Sequence, residues 1–180
     1  MNLPNKLTLL RVIMIPFFVV LLLLESGANP SLRIAACVVF CLASFTDFLD
    51  GQIARKRNLV TDFGKFVDPL ADKLLVCSAL ICMIELRELP AWYVIIIIAR
   101  EFIISGFRLV ASDKGIVIAA SWWGKFKTVS QMFTIILLIL NIPAFEVFTD
   151  ILAGIALVLT IVSLLDYIIK NARVITEGGM

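Results

Sequence analysis

Four aspartates stand in otherwise apolar sequence: Asp47 and Asp50, three residues apart, and Asp68 and Asp72, four apart. Residues at these spacings are neighbours on one helical face, so each pair forms a carboxylate stripe. Gly51, Ala54 and Arg55 share the first stripe and Gly64 the second, and a polar stretch from Lys56 to Asp62 lets the two stripes turn towards each other. A carboxylate within a bilayer costs about 2.5–3.5 kcal/mol on insertion scales. Four that converge either repel or hold protons unless a cation balances them. Two divalent cations are the natural counter-charge, because hard cations take carboxylate oxygens. A metal pair also clamps the entering and leaving oxygens of a phosphoryl displacement. Gly51, Ala54 and Gly64 leave room for a bulky ligand close to the backbone, and Arg55 suits a diphosphate. Two other readings are open at this point. Intramembrane carboxylates also mark the pathways of cation or proton transporters. Ion pairs of the aspartates with Arg55, Lys65 and Lys73 for packing alone are the third reading, weakened because apolar replacement of buried pairs is often neutral or stabilising.

The elements that must position these groups are membrane helices. Of the 180 residues 61% are hydrophobic and the mean hydropathy is +1.04, well above the about 45–50% apolar content of soluble domains. A span uses about 20 residues, so the chain holds roughly six and no separate soluble domain. Six apolar stretches are found, at 7–24, 32–54, 64–86, 91–110, 126–142 and 149–169. The expected fold is therefore an all-α integral membrane domain over 1–180, with six transmembrane helices. The first stretch reads as a retained span, not a cleaved leader, because no small-residue cleavage pattern follows it. The amphipathic start, through Arg11, reads as a short interfacial segment. The break at Asn141–Pro143 is weak, which predicts a tight turn between the last two helices.

Charge placement orients the bundle. One side collects Lys6, Arg11, Arg55, Lys56, Arg57, Lys65, Arg108, Lys114, Lys125, Lys127, Lys170 and Arg173, and the other only Arg33 and Arg87 among several acids. Both termini are expected inside, with the aspartates near the cytoplasmic face of a cell membrane. No long basic run suggests nucleic-acid binding. With no histidine and no paired-cysteine motif among Cys37, Cys41, Cys77 and Cys82, zinc is not expected and the cysteines read as packing residues.

The eight fixed positions Asp47, Asp50, Gly51, Ala54, Arg55, Gly64, Asp68 and Asp72 match the signature of the CDP-alcohol phosphatidyltransferases, which the chain resembles. The opening from Asn2 through Pro4, Asn5, Thr8 and Arg11 is similar to the bacterial branch that uses glycerol 3-phosphate. So is the region Arg100, Glu101, Gly106, Arg108, Ser121, Gly124, Lys125, Lys127, Thr128 and Gln131. The resemblance implies that CDP-diacylglycerol and glycerol 3-phosphate give phosphatidylglycerophosphate and CMP in a bacterial plasma membrane. It implies two Mg2+ ions, or Mn2+, on the four aspartates, and Asp72 as the base that takes the acceptor hydroxyl proton. It implies binding of the CDP-lipid by Asp47, Asp50, Gly51, Ala54, Arg55, Thr61 and Gly64, and a homodimer among membrane lipids. Serine or inositol phosphate is the alternative acceptor within the family.

A small dianion such as glycerol 3-phosphate needs basic partners. Arg108, Lys125 and Lys127 are the expected ones, with Arg11 and Arg100 as lesser candidates and Ser121 and Thr128 as hydroxyl donors. Arg100 alternatively pairs with Glu101. Trp122 and Trp123 read as interfacial anchors, and Thr61 with Asp62 as the N-cap of the third helix.

Overall fold

A computed structural model describes residues 3–56, 62–113 and 121–171, with the side chains of 3–5, 25, 47–56, 62–69 and 112–113 left aside. The described residues form six long helices and no strand. The helices are α1 (Leu3–Leu23), α2 (Pro30–Lys56), α3 (Asp62–Glu85), α4 (Ala91–Asp113), α5 (Trp122–Leu140) and α6 (Glu146–Lys170). Short 3-10 turns at Leu24–Gly27 and Pro143–Phe145 lie between α1 and α2 and between α5 and α6.

The helix ends follow local chemistry. Pro30 opens α2, where its missing N–H is no loss, and Asn29 Oδ1 accepts the Ser31 N–H at 3.0 Å as a cap. Ser121 caps α5, its Oγ accepting the Gly124 N–H at 3.1 Å. Asn141, directly after α5, is in the left-handed region at φ 43°, at the break the sequence places before α6. The stretch expected as a short interfacial segment is helical and continuous with the first apolar stretch. Nothing beyond the first turn breaks the helix before Pro16, so α1 runs unbroken from Leu3, and Pro4 falls where proline costs no hydrogen bond.

Two compact units divide the chain. The first comprises Met1–Leu89 with Leu138–Asn141. In it α1 packs on both α2 and α3. The core between them is built from Phe18 and Leu22 of α1, Ala36, Phe40 and Ala43 of α2, and Leu75, Ala79 and Met83 of α3. The Phe18 and Phe40 rings lie 5.6 Å apart. Small residues on α2 let the bulky faces of α1 close on it, as in other membrane helix pairs.

Gly27 closes the turn between α1 and α2 at φ +69°, and a Cβ there would stand 2.9 Å from Leu86 Cδ2 and 3.1 Å from Arg33 Nη2. Gly27→Ala therefore combines a left-handed backbone with crowding, and about 1–3 kcal/mol of lost stability is expected. Thermal unfolding in detergent checks this. Gly154→Ala is the control, since its added Cβ meets nothing within 4 Å.

The second unit comprises Pro90–Leu137 with Ile142–Met180. Here α4 packs on α6. The buried face of α6 is small or hydroxylic (Thr149, Ala153, Ala156, Thr160, Ser163, then Tyr167) and recurs every three to four residues. Tyr93 of α4 donates its hydroxyl to the Ala153 carbonyl at 3.0 Å, across this seam.

Among the described residues three helical stretches are long and apolar enough to cross a membrane: Lys6–Leu23, Trp122–Leu140 and Pro143–Lys170, with Pro30–Thr46 a shorter apolar helix. The C-terminal part of α2, the first half of α3 and the middle of α4 carry the charged residues that set them apart. This is the make-up of a multi-pass helical membrane protein.

Candidate active site

Asp47 and Asp50 belong to the last turns of α2, and Asp68 and Asp72 to the first half of α3. The two helices pack on each other within the first unit, and their sequential ends lie either side of the short stretch 57–61. Both aspartate pairs therefore lie towards the same end of this helix pair. Thr61 lies outside the described residues, as do the side chains at Asp47, Asp50, Gly51, Ala54, Arg55, Gly64 and Asp68. Asp72 is described: it is half-buried, next to the buried Ala71 and three residues before the buried Leu75.

A cation the sequence ranked low also reaches this end. Arg11 of α1 is fully buried and donates its Nε to the Ala43 carbonyl at 3.2 Å. Ala43 precedes Asp47 by one helical turn, so α1 brings a guanidinium to the approach of the acidic motif. Only the spacing from Thr8 to Arg11, which puts both on one face of α1, hinted at this; Thr8 is fully buried too.

The donor set suits a divalent cation. It is all carboxylate, with no histidine in the chain, and all-oxygen sets are those that Mg2+ and Mn2+ take. Among the described residues no group of three His, Cys, Asp or Glu side chains assembles a metal site; of the four aspartates that set contains Asp72 alone.

The basic residues expected to meet the acceptor all lie in the second unit and differ sharply in exposure. Arg108 and Lys125 are exposed. Lys125 Nζ sits 4.5 Å from the centre of the Trp122 ring, a cation–π contact. Lys127 is only 2% exposed and its ammonium is paired with Glu101. Arg100, 8% exposed, donates Nε and Nη2 to Ser163 Oγ at 3.2 and 3.0 Å and Nη1 to Glu101 Oε1 at 3.0 Å. That matches the alternative pairing with Glu101 and makes Arg100 a tie between α4 and α6.

Both suggested hydroxyl donors are engaged locally: Ser121 caps α5 and Thr128 donates to the Gly124 carbonyl at 2.9 Å. Gln131 is buried one turn beyond Lys127, and its Oε1 has no hydrogen-bond partner among the described residues. Trp122 and Trp123 are exposed at the start of α5, as membrane-interface anchors would be.

Two packed helices that carry the aspartate pairs towards one end, in a chain with the make-up of a multi-pass membrane protein, define the class: a helical membrane protein with an acidic motif on a helix pair. The particular family follows from comparison. The model of the CDP-alcohol phosphatidyltransferase family matches residues 1–162, and the chain belongs to that family. It is 45% identical to a CDP-diacylglycerol–glycerol-3-phosphate 3-phosphatidyltransferase of Bacillus subtilis (strain 168), over 94% of this chain and 95% of the relative. A protein of the same name from Escherichia coli (strain K12) is 40% identical over 93% of each chain. A probable phosphatidylglycerophosphate synthase of Mycobacterium tuberculosis (strain H37Rv) is 39% identical over 99% of this chain and 85% of the relative.

Proposed function

We propose that this protein is an enzyme that transfers the phosphatidyl group of CDP-diacylglycerol to glycerol 3-phosphate, giving phosphatidylglycerophosphate and releasing CMP. The observation that carries the proposal is the 45% identity, nearly end to end, to a relative whose name states that reaction. The acidic motif on α2 and α3 supports it from the chemistry.

Asp47, Asp50, Asp68 and Asp72 hold two divalent cations, Mg2+ or Mn2+, in this reading. When bound, such ions polarise the diphosphate and offset the charge of departing CMP. Gly51, Ala54 and Gly64 leave the space the CDP group occupies, and Arg55 and Thr61 bind it. Asp72 accepts the proton of the acceptor hydroxyl as that oxygen bonds to phosphorus and the bond to the CMP oxygen breaks. Arg108, Lys125 and Lys127 bind the acceptor phosphate.

The charge bias supports six spans with both termini in the cytoplasm of a bacterial cell and the site at the cytoplasmic headgroup level, where a lipid diphosphate lies. The family model runs across both compact units, which supports one functional domain over 1–180. The sequence resemblance supports a homodimer.

The test is CMP release by purified protein in detergent with CDP-diacylglycerol and a panel of acceptors. Glycerol 3-phosphate is expected to support release, with serine and inositol phosphate inactive. Chelation of divalent ions is expected to lower the rate by at least about a hundredfold, with recovery on adding Mg2+ or Mn2+. Cation or proton flux across sealed vesicles without CMP release is the result that would replace the enzyme with a transporter.

A further inference from the structure

Among the described residues the second unit contains a buried cluster in which two cations share one carboxylate. Arg100 on α4 and Lys127 on α5 are 8% and 2% exposed. One carboxylate, Glu101, meets both: its Oε1 accepts from Arg100 Nη1 at 3.0 Å and from the Lys127 ammonium. Ser163 Oγ of α6 accepts from Arg100 twice and donates to the Thr160 carbonyl at 3.0 Å. The two cations are held differently. Arg100 is a planar fork spread over two helices, fixed by geometry. Lys127 is a point charge on a flexible four-carbon stem, and Glu101, 26 residues earlier in the chain, gives its ammonium a defined place.

We propose that Glu101 is a positioning residue for the acceptor phosphate, acting through Lys127. The inference rests on the acceptor reading given above. Glutamine at 101 takes away one charged partner of the buried Lys127 ammonium, which weakens its hold on that place. The ammonium then swings to another acceptor or sheds its proton. Either way the point charge that meets the phosphate dianion is lost or displaced. With Glu101 in place, the ordering of the lysine stem is settled before substrate arrives, which lowers the entropy lost on binding. Phosphate binding by Lys127 thus depends on a residue that touches no substrate. An ion pair that merely packs helices would affect folding without distinguishing one substrate from the other.

The experiment compares Glu101→Gln, Glu101→Asp, Lys127→Met and the double variant Glu101→Gln/Lys127→Met, as full chains in detergent. Each substrate is varied in turn. Glu101→Gln is expected to raise KM for glycerol 3-phosphate about tenfold, with KM for CDP-diacylglycerol changed by less than about twofold. Glu101→Asp, which keeps the charge, should recover most of the loss. Lys127→Met should raise the acceptor KM at least as much, and the double variant should be no worse than Lys127→Met alone, as two residues acting through one contact require. Effects of the two substitutions that multiply would overturn the proposal, as would equal shifts in both KM values or an aspartate no better than glutamine. If Glu101→Gln does not fold, Glu101→Asp carries the test through the same selective, smaller rise in acceptor KM, and an unselective rise overturns it. An unchanged acceptor KM in Lys127→Met removes Lys127 from the acceptor site and the proposal with it, while the enzyme reading survives if the native protein releases CMP with glycerol 3-phosphate. CMP release by the native protein with another alcohol only overturns the acceptor reading, and this inference with it.

Discussion

Asp72→Asn protein is expected to fold, to bind CDP-diacylglycerol and to transfer the phosphatidyl group about 10²–10⁴-fold more slowly, the range a positioned general base contributes. The substitution is nearly isosteric. Residue 72 is half-buried on α3 with Ala71 and Leu75 buried beside it, so the amide fits the space the carboxylate leaves. What disappears is chemical: an amide cannot take the proton of an attacking hydroxyl, and it is a poorer ligand for a hard cation. These two losses separate experimentally. If the base is what is lost, CDP-lipid affinity at saturating Mg2+ is unchanged and kcat falls. If metal binding dominates, the apparent Mg2+ requirement rises and high metal restores part of the rate. Quench-flow CMP release together with a lipid-binding titration reads both. Undiminished turnover at saturating metal and substrate would remove Asp72 as the base.

The helices themselves were legible because apolar stretches of this length in a membrane protein have one outcome: backbone groups deprived of water must bond within a helix. The stretch expected at 32–54 is α2, Pro30–Lys56, and that at 64–86 is α3, Asp62–Glu85. The differences fall at the ends, where Pro30 and Asn29 set the start of α2 and no periodicity rule applies. The N-terminal stretch follows the same rule, since an amphipathic stretch contiguous with an apolar helix continues it as its first turns. The acidic motif is read from residue type and spacing; the structure adds that its two halves lie on α2 and α3, which pack on each other. The partners of the other buried charges are not read that way. Arg100 and Glu101 are adjacent in sequence, so their pairing could be anticipated, but the Ser163 and Lys127 contacts come from helices 63 and 26 residues away. Lys127 and Lys125 look alike in sequence, two positions apart, yet that spacing places them on different faces of α5, one buried and one exposed. In the sequence Arg33 reads as a topological charge on the sparse side of the membrane; the fold makes it a buried hub.

Arg33→Met is expected to be the most destabilising single substitution outside the acidic motif, by about 3–5 kcal/mol, the effect of removing one partner of a buried ion pair. The Arg33 side chain is 8% exposed and its Nη2 meets Glu88 Oε1 at 2.8 Å. Its Nε donates to the Gly27 carbonyl at 2.6 Å and its Nη1 to the carbonyls of Leu138 and Ile139 at 3.0 and 3.4 Å. Leu138 and Ile139 belong to the last turn of α5, where carbonyls lack partners within the helix and a cation offsets the negative end of the helix dipole. One guanidinium thus joins the turn after α1, the start of α2, the segment after α3 and the end of α5, all within the first unit. Methionine fills the volume but leaves the Glu88 carboxylate and these carbonyls without their donor. Lysine keeps the charge but is a point donor that cannot fork among them, so Arg33→Lys should lose an intermediate amount. The cause can be isolated with Glu88→Leu. If the stranded carboxylate dominates, Arg33→Met/Glu88→Leu will be more stable than Arg33→Met alone, although it carries one more substitution. If the orphaned carbonyls dominate, the second substitution gives no recovery. Thermal unfolding of detergent-solubilised protein measures all four variants, and an Arg33→Met midpoint equal to that of the native protein would show that the contacts carry no net stability.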